Sequence, residues 1–299
     1  MTSFVTAASV DEAVQAMAGG ARAVAGGTDL VVGARQGKAP LPDSLVAIQR
    51  IAELRGIESL DEVLRLGALT THQEITEHPV VLARLTALAD ASAIVGSHAT
   101  RAQGTIGGNV MNASPAMETG GPLVCFDATV TLHGAKGVRW VAAADLFSGP
   151  GETTAHPDEL LTAVDVPLPP EGTGSCYLRL EYRRQMEIAV VGATAVITFD
   201  EGEVADARIA ITALAPTIRR VPEAEAALVG TDGGRVAAEA AAEAAAAAAE
   251  PISDVRASES YRRAMAAVIT RRAIEAAVRR AWGEVVPVPA SPALHGGLS

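Results

Sequence analysis

The sequence has two glycine-rich segments whose residue types suit phosphate binding. The first is Ala25-Gly26-Gly27-Thr28-Asp29-Leu30, which lies between a short apolar stretch and a segment with helical character. Glycine lets a backbone approach a ligand closely, and a helix N-terminus provides free N–H groups and a partial positive charge. Thr28 adds a hydroxyl donor. A plain strand-to-helix turn, with Thr28 or Asp29 as its N-cap, is the alternative interpretation of this segment alone.

The second segment is Gly104-Thr105-Ile106-Gly107-Gly108-Asn109, which continues through Met111 and Asn112 to Ser114. Its glycine pair is flanked by short hydrogen-bonding side chains, those of Asn109, Asn112 and Ser114. This density of small donors and acceptors favours a ligand-binding turn. The alternative is a buried turn whose asparagines satisfy their own backbone.

The two segments together indicate more than either one alone. Two amide-rich turns on different subdomains could hold a diphosphate from both sides. Few lysines or arginines lie near them, so backbone dipoles would neutralise the phosphate charge, as they do in dinucleotide sites. Neither segment matches G-x-G-x-x-G or G-x-x-x-x-G-K-[ST], so the sequence does not predict a Rossmann or P-loop site.

The first 55 residues alternate between short apolar runs and helical segments. Strands are predicted over residues 3–6, 21–25 and 45–48. One helix follows Ser9, which forms a capping-box pattern with Glu12, and a second helix begins at Leu30. Alternating strands and helices favour parallel pairing, so residues 1–55 are predicted to form a small α/β subdomain.

A middle subdomain is predicted over residues 56–174. Its strands are expected over residues 62–68, 128–132 and 158–166. One helix is expected to open at Thr71 and His72 and to be interrupted by Pro79, and a second one is expected over residues 80–93.

A C-terminal domain is predicted over residues 175–286. Three long β-prone runs, residues 175–182, 189–199 and 207–214, predict an antiparallel meander. Helices are expected over residues 223–229, 235–249 and 258–282. The last is expected to have Tyr261, Met265 and Val268 on one face. Residues 287–299 are rich in Pro, Gly and Ser and are predicted to be a loose tail.

The composition argues against nucleic-acid binding. The net charge is −11 and aromatic residues make up 3% of the chain, so both a basic face and aromatic stacking platforms for bases are scarce. Arginines are concentrated between residues 261 and 280, where they alternate with alanine at helical spacing. That stretch is interpreted as a solvated helix face or a docking surface.

The two cysteines, Cys125 and Cys176, are too few to ligate an iron–sulfur cluster or a thiolate zinc site. They could form one long-range disulfide, but two buried thiols in a reducing cytoplasm are the preferred interpretation. No signal peptide is recognised. The alanine run of residues 235–250 is interrupted by glutamates and predicts a helix outside membranes. The chain is therefore expected to be cytoplasmic.

These motifs resemble the FAD-binding medium subunit of molybdenum hydroxylases, a family that includes carbon monoxide dehydrogenase and the flavin part of xanthine dehydrogenase. The resemblance depends on both glycine-rich segments and on Ala113-Ser114-Pro115, Gly67-Ala68-Leu69-Thr70-Thr71-His72, Asp127-Ala128 and Arg183-Arg184-Gln185-Met186-Glu187-Ile188-Ala189. It implies an α+β chain. A two-subdomain α/β FAD-binding fold of the PCMH/vanillyl-alcohol-oxidase type would precede a three-stranded antiparallel sheet with helices.

The resemblance also implies a site. The two glycine-rich turns would hold the FAD pyrophosphate without a covalent bond, and Asn112, Ser114 and Glu118 would contact its ribityl or adenosine part. Either Arg179 or Arg183 would lie near the flavin. The predicted cofactor-binding residues are Ala25, Gly26, Gly27, Thr28, Asp29, Leu30, Thr105, Gly107, Gly108, Asn109, Met111, Asn112, Ser114, Glu118, Arg179 and Arg183.

The sequence departs from the family pattern at two acidic positions. Glu118 stands where the family usually has Asp, and the family's Arg-x-x-Asp is here Arg184-Gln185-Met186-Glu187. For His72, a helix-start residue hydrogen-bonded to a loop is preferred to a covalent histidyl–flavin bond.

By the same resemblance, substrate would be oxidised at a molybdenum cofactor on a large subunit. Electrons would cross two [2Fe–2S] clusters on a small subunit, reach FAD on this chain, and pass to NAD, a quinone or oxygen. The complex is expected to be a dimer of heterotrimers of the carbon monoxide dehydrogenase type. The alternatives are a xanthine, aldehyde or N-heterocycle dehydrogenase, a self-sufficient flavin oxidase of related fold, and a non-redox nucleotide-binding module.

Overall fold

The N-terminal part forms a three-stranded parallel sheet, as predicted. The computed structural model describes residues 3–37, 39–183 and 186–290. The elements in chain order are β1 (Ser3–Thr6), α1 (Val10–Ala18), β2 (Arg22–Val24), α2 (Leu30–Arg35) and β3 (Ser44–Ala47), followed by a 3-10 turn at Ala52–Leu54. The sheet order is β1-β3-β2, and β3 pairs with both neighbours in parallel.

The helix α1 begins at the predicted cap, with one difference from a capping box. The Ser9 hydroxyl accepts from the N–H of Glu12 at 3.2 Å. The Glu12 carboxylate accepts from the N–H of Ala8 at 2.7 Å instead of from that of Ser9. Two free N–H groups at this helix start are therefore satisfied, one of them a residue earlier than expected.

The middle part is a five-stranded antiparallel sheet with helices packed against it. Its strands are β4 (Ile57–Leu60), β5 (Val63–Gly67), β6 (Thr129–Gly134), β7 (Gly137–Ala142) and β10 (Leu160–Pro167), in the order β4-β5-β10-β6-β7; β8 (Phe147–Gly149) and β9 (Glu152–Thr153) form a separate hairpin. Its helices are α3 (His72–Glu77), α4 (Pro79–Arg84), α5 (Thr86–Ala93), α6 (His98–Arg101), α7 (Ile106–Met111), α8 (Gly120–Cys125) and α9 (Ala143–Leu146).

The prediction of one continuous helix over residues 80–93 is wrong. The backbone leaves helical geometry at Leu85, with φ −124° and ψ 45°, and a new helix starts at Thr86. The Thr86 hydroxyl donates to the carbonyl of Ser175 at 2.7 Å, and the N–H of Ala87 donates to the Ser175 hydroxyl at 3.0 Å. These long-range bonds satisfy the start of α5 and fix the break.

The C-terminal part contains the predicted antiparallel meander. Its strands are β11 (Thr173–Leu180), β12 (Val191–Asp200) and β13 (Glu203–Thr212), and a two-residue fourth strand, β14 (Arg219–Arg220), extends the three that were predicted. Its helices are α10 (Pro222–Ala226), α11 (Arg235–Ala247) and α12 (Glu259–Ala281). One face of this sheet packs on α11 and α12, and the other contributes Tyr177, Val196 and Ala210 to the core of the middle part.

Tyr261, Met265 and Val268, the residues predicted on one face of α12, are not among its fully buried residues. Tyr261 is 42% exposed, whereas alanines and isoleucines one residue further along each turn are buried: Ala266, Ile269, Ala273, Ile274 and Ala277. A β-carbon on Gly174 of β11 would lie 2.0 Å from the carbonyl oxygen of Ala277. The helix lies so close to β11 that only small residues fit where the two elements face each other.

The arginines of α12 do not form a uniformly solvated face. Arg262 is buried and donates to the carbonyl of Val190 and the carboxylate of Asp254, both at 2.7 Å. Arg280 forms a bidentate pair with the fully buried Asp90 of α5, at 2.6 and 3.0 Å. This pair joins the last helix to the middle part of the chain.

The beginning of the predicted loose tail is packed against this ion pair. The N–H of Ala290 donates to Asp90 at 2.9 Å, and the carbonyl of Pro287 accepts from Arg280 at 2.9 Å. Residues 291–299 lie outside the described residues. Both Cys125 and Cys176 are buried free thiols, as expected. In the part of the chain that the structure covers, no helix is long and apolar enough to cross a membrane.

Candidate cofactor site

The two glycine-rich segments meet backbone to backbone. A β-carbon on Gly26 would lie 1.9 Å from the carbonyl oxygen of Gln103 and 3.3 Å from the N–H nitrogen of Gly104. No side chain fits there, so glycine at position 26 is a condition for this contact. The structure thus brings together the two segments that the sequence singled out.

The first segment presents unused backbone donors. Gly27 has φ +69°, a conformation that favours glycine. Within the described residues, the N–H groups of Gly26, Gly27 and Thr28 make no hydrogen bond, and all three residues are only partly buried. Asp29 occupies the N-cap position of α2 just before Leu30, but its side chain makes no cap hydrogen bond. Adjacent N–H groups before a helix form a typical anion-binding geometry.

The second segment differs from the expectation of an open, amide-rich turn. Thr105 is the N-cap of α7, and its hydroxyl accepts from the N–H of Gly108 at 3.1 Å. The N–H of Ile106 donates to the carbonyl of Thr70 at 2.9 Å, and that of Gly107 donates to the carbonyl of Ala68 at 3.0 Å. These amides are therefore engaged inside the fold. Any ligand contact here would come from side chains and from the field of the helix.

Gly107 has a packing role of its own. A β-carbon on it would lie 2.7 Å from the carbonyl oxygen of Ala68 and 2.8 Å from that residue's β-carbon. The absence of a side chain lets α7 pack directly on the segment after β5. Gly107 therefore positions the helix and offers no free amide.

The polar side chains after the glycine pair lie along one stretch of chain. The Asn109 side-chain oxygen accepts from the hydroxyl of Thr119 at 2.6 Å. The Ser114 hydroxyl accepts from the N–H of Ala116 at 3.3 Å. Met111 and Asn112, at the end of α7, are partly exposed. This stretch leads directly to Glu118.

Glu118 pairs with Arg179, which brings two predicted site residues from separate parts of the chain together. Arg179 Nη1 lies 2.5 Å from Glu118 Oε1, and their side chains are 1% and 10% exposed. Burial raises the pKa of the Glu118 carboxyl from 4.5 to about 7, while the Arg179 charge opposes that rise. Arg179 also bonds the Glu181 carboxylate through Nε and the carbonyl of Glu187 at 3.1 Å.

Arg183, the other predicted basic residue, faces solvent. Its side chain is 66% exposed and pairs with Glu187 at 3.0 Å. It also donates to the carbonyl of Met186 at 2.7 Å. The neighbouring Arg184 and Gln185 lie outside the described residues. Of the two candidates, Arg179 is the one that lies in the buried cluster with Glu118.

His72 lies at the junction of the two segments. Its N–H donates to the carbonyl of Gly104 at 3.1 Å, so the prediction of a helix-start residue bonded to a loop is confirmed. Its ring lies 3.4 Å, and the Thr28 hydroxyl 3.5 Å, from the point where a β-carbon on Gly104 would sit. Burial, helped by the charge of Arg101, lowers the pKa of His72 from 6.5 to about 4, so the buried imidazole is neutral.

Sequence reasoning missed a group of buried hydroxyls beside Arg179. The side-chain oxygens of Tyr177, Thr194 and Thr212 are buried; Tyr177 faces Thr212, and the Thr194 hydroxyl has no hydrogen-bond partner in the described chain. A β-carbon on Gly121 would lie 2.3 Å from the Thr194 hydroxyl oxygen. Polar residues at alternate positions of otherwise apolar strands were the signal that could have identified this face.

This architecture matches that of a known protein family. Residues 1–169 match the family model described as the FAD binding domain in molybdopterin dehydrogenase, and residues 177–277 match the CO dehydrogenase flavoprotein C-terminal domain. The carbon monoxide dehydrogenase medium chain of Afipia carboxidovorans is 35% identical over 87% of this chain and 90% of its own length. The xanthine dehydrogenase FAD-binding subunit of Escherichia coli O157:H7 is 30% identical over 95% and 98%.

A solved structure has the same fold as this chain. Reconstituted CO dehydrogenase from Oligotropha carboxidovorans contains a chain that superposes with a TM-score of 0.90 at 32% identity, over 94% of this chain and 98% of that one. The two family models together cover most of the chain, and both relatives and the solved structure each cover most of it as well. The chain therefore belongs to the family of FAD-binding subunits of molybdopterin dehydrogenases and is a flavoprotein subunit of an oxidoreductase.

Proposed function

We propose that the chain carries electrons from the iron–sulfur clusters of a small partner subunit, through its FAD, to an external acceptor. The complex would be a molybdenum hydroxylase of the carbon monoxide dehydrogenase type. The observation that carries the site assignment is the contact of Gly26 with Gln103 and Gly104, beside three unused backbone donors. It supports a pyrophosphate site between the two segments.

The residues present fit FAD in distinct ways. The N–H groups of Gly26, Gly27 and Thr28 would hold phosphate oxygens, since they are adjacent, partly exposed and without an acceptor among the described residues. Asn109, Asn112 and Ser114 would place side chains along the ligand beyond the phosphates. When bound, the flavin supplies electron transfer in single or paired steps, and the protein supplies binding and orientation.

The proposed partners are a small [2Fe–2S] subunit and a large molybdopterin subunit. The chain has two cysteines, fewer than the four thiolates of a ferredoxin-type [2Fe–2S] cluster, and within the described residues no group of three or more His, Cys, Asp or Glu side chains could hold a metal ion, so the donor centres would lie on other chains. The relationship to a carbon monoxide dehydrogenase medium chain supports this arrangement. We propose a dimer of heterotrimers in the cytoplasm, with NAD, a quinone or oxygen as acceptor; two buried free thiols agree with a reducing compartment.

The substrate of the complex would be carbon monoxide, in line with the 35% identity to the carbon monoxide dehydrogenase chain. A xanthine-type substrate is the second candidate, because the xanthine dehydrogenase FAD-binding subunit matches over 95% of this chain. The large subunit would bind either substrate, so the two candidates share one role for this chain.

Co-expression with candidate small and large subunits tests the proposal. We expect one complex in size-exclusion chromatography that contains flavin, iron and molybdenum, and whose substrate follows from assays with carbon monoxide and xanthine. Elution of this chain alone and free of metal, with all candidate partners present, would contradict the subunit role even if FAD is bound. A colourless chain that takes up no FAD would favour a non-redox nucleotide-binding module.

A further inference from the structure

The strand β7 forms one edge of the five-stranded middle sheet. Within the described residues, the sheet order β4-β5-β10-β6-β7 gives it β6 as its only strand neighbour. Two large apolar side chains of β7 face solvent, since Val138 is 45% and Trp140 66% exposed. The opposite edge strand, β4, carries the exposed Glu58. An unpaired strand edge is a template for pairing with another chain, and proteins commonly protect it with charged residues or proline. The apolar edge of β7 therefore indicates a contact surface.

The backbone of β7 has its free hydrogen-bonding groups at the same residues. The strand pairs with β6 in antiparallel fashion. The N–H of Ala143, directly after β7, donates to the carbonyl of Ala128, directly before β6, at 2.7 Å. Backbone groups point alternately to the two sides of a strand, so the odd-numbered residues of β7 bond to β6. The N–H and carbonyl groups of Val138, Trp140 and Ala142 therefore point to the free edge.

Side-chain bonds hold this edge strand in place. Arg139 Nε and Nη2 donate to the two carboxylate oxygens of Glu159 at 2.6 and 2.7 Å. Nη2 also donates to the carbonyl of Thr154 at 2.9 Å. These bonds tie β7 to the segment that precedes β10. A strand that is already fixed in extended form loses little conformational entropy when a second strand pairs with it.

The free edge of β7 is complementary to a second copy of itself. Two antiparallel β7 strands related by a two-fold axis at Trp140 would place Trp140 opposite itself and Val138 opposite Ala142 of the other copy. These three residues have their free backbone groups on this edge, so the register pairs all of them. In the same register Arg139 lies opposite Val141, and no like charges face each other.

The two ends of the strand carry opposite charges. Lys136 precedes β7 and Asp145 follows it in α9, and both residues are exposed. In an antiparallel pair centred on Trp140, the lysine of each copy lies at the same end as the aspartate of the other. The pair therefore gains two attractions between opposite charges, which favours a second copy over a partner of uniform charge.

We propose that two copies of this chain associate through their β7 strands, with Trp140 at the two-fold axis, and so join their middle sheets into one continuous sheet. The two Trp140 side chains form the apolar centre of the contact, and the backbone groups of Val138 and Ala142 complete it. The inference goes beyond the proposed function and does not depend on bound FAD. In the proposed dimer of heterotrimers it adds a direct contact between the two flavin subunits.

Sedimentation equilibrium of the full chain over a wide range of concentrations tests the inference. We expect wild type to reach twice the mass of the 30.5 kDa chain. Trp140→Glu and Trp140→Lys should each remain monomeric, because each places two like charges opposite each other. An equimolar mixture of these two variants should restore the dimer, because position 140 faces itself. The matched control is Phe4→Glu, which changes an exposed aromatic residue on the edge strand of a different sheet and should leave dimerisation unchanged.

Ala142→Pro tests the backbone hydrogen bonds separately. Ala142 has φ −60°, which proline adopts without strain, and its N–H points to the free edge. The variant should weaken dimerisation about ten-fold or more, because each copy loses one backbone donor. The melting temperature of the dilute, monomeric sample should stay at or above that of wild type, because proline restricts the unfolded chain.

A wild-type chain that stays monomeric at every concentration would overturn the inference, and so would protection of the β7 amides from hydrogen exchange only when a different subunit is added. A dimer that persists in Trp140→Glu or Ala142→Pro, or a mixture of the two charged variants that stays monomeric, would overturn it as well. A monomeric chain that binds FAD refutes this inference alone. A dimeric chain that binds no FAD supports it and refutes the proposed function.

Discussion

Gly26 and Gln103 are in such close backbone contact that a β-carbon on Gly26 would lie 1.9 Å from the Gln103 carbonyl oxygen. The contact fixes the first glycine-rich segment, with its free N–H groups, against the start of the second. Since the obstacle is backbone, it cannot be relieved by turning a side chain. The geometry of the proposed pyrophosphate site therefore depends on the absence of a single methyl group.

We predict that Gly26→Ala separates the two segments and abolishes stable FAD binding. The added methyl would overpack the contact and cost about 1–3 kcal/mol of folding free energy. Gly33→Ala is the matched control, because Gly33 lies in α2 and its β-carbon would meet nothing within 4 Å. The control should retain FAD and gain stability by up to about 1 kcal/mol from helix propensity. Flavin content after gel filtration and thermal melting measure both effects, and full flavin content in Gly26→Ala would refute the assignment.

A second prediction separates backbone strain from ligand binding. Gly27 and Gly37 have φ values of +69° and +71°, so valine at either position costs about 1–2 kcal/mol of stability. Only Gly27 lies in the proposed phosphate-binding segment. Gly27→Val should therefore lose FAD while the fold largely survives, and Gly37→Val should lose comparable stability yet bind FAD normally. Similar FAD affinities in the two variants would argue against a phosphate contact at Gly27.

The buried His72 predicts a loss of stability in acid. Its pKa is about 4 in the folded chain and 6.5 in the unfolded one, so the unfolded state binds an extra proton between these values. The free energy of unfolding should fall by about 3 kcal/mol as the pH is lowered from 6.5 to 4 through this residue. His72→Gln should flatten that slope. Chemical denaturation across this pH range measures it, and parallel slopes for wild type and His72→Gln would contradict the prediction.

Glu118 predicts a pH dependence of opposite sign. Burial raises the pKa of its carboxyl from 4.5 to about 7, so the folded chain holds the extra proton between these values. Its contribution to stability is complete below pH 4.5 and is lost as the pH rises through 7. The stability of Glu118→Gln relative to wild type should therefore increase between pH 5 and pH 8. A difference that stays constant over this range would show that the folded carboxyl titrates normally.

The isolated chain should bind FAD without oxidising carbon monoxide or xanthine, because the proposed substrate site and iron–sulfur clusters lie on partner subunits. Slow reduction of artificial acceptors through the flavin is expected. Activity assays on rigorously purified single chain, with metal analysis of the same sample, measure this. Turnover of either substrate by metal-free chain would contradict the proposal that the substrate site lies on a partner subunit.

Local sequence patterns predicted the elements whose partners lie nearby in the chain. The alternation of apolar and helical runs predicted the parallel pairing of the N-terminal strands, and the three β-prone runs predicted the antiparallel pairing of β11, β12 and β13; the structure has both. Short connections leave few alternative pairings, so pattern and structure agree.

Contacts between distant residues account for what the sequence did not reveal. The helix break at Leu85 depends on a hydrogen bond between Thr86 and Ser175. The burial of the Arg280 side chain on α12 depends on its ion pair with Asp90. At the site, the glycine-rich segments were recognised from the sequence. The hydrogen bond from the Gly107 N–H to the carbonyl of Ala68 was not, because it forms only once the strand before Ala68 lies next to α7. The pairing of Glu118 with Arg179 has the same origin.

We propose that this chain holds FAD between its two glycine-rich segments. The most direct measurement is the number of FAD molecules bound per chain after the deflavinated wild-type protein is titrated with FAD and freed of excess ligand. We expect one FAD per chain, released intact on denaturation, and none in Gly26→Ala. A folded wild-type chain that binds no FAD, or a Gly26→Ala variant that binds it as wild type does, would show that FAD is not held between these segments.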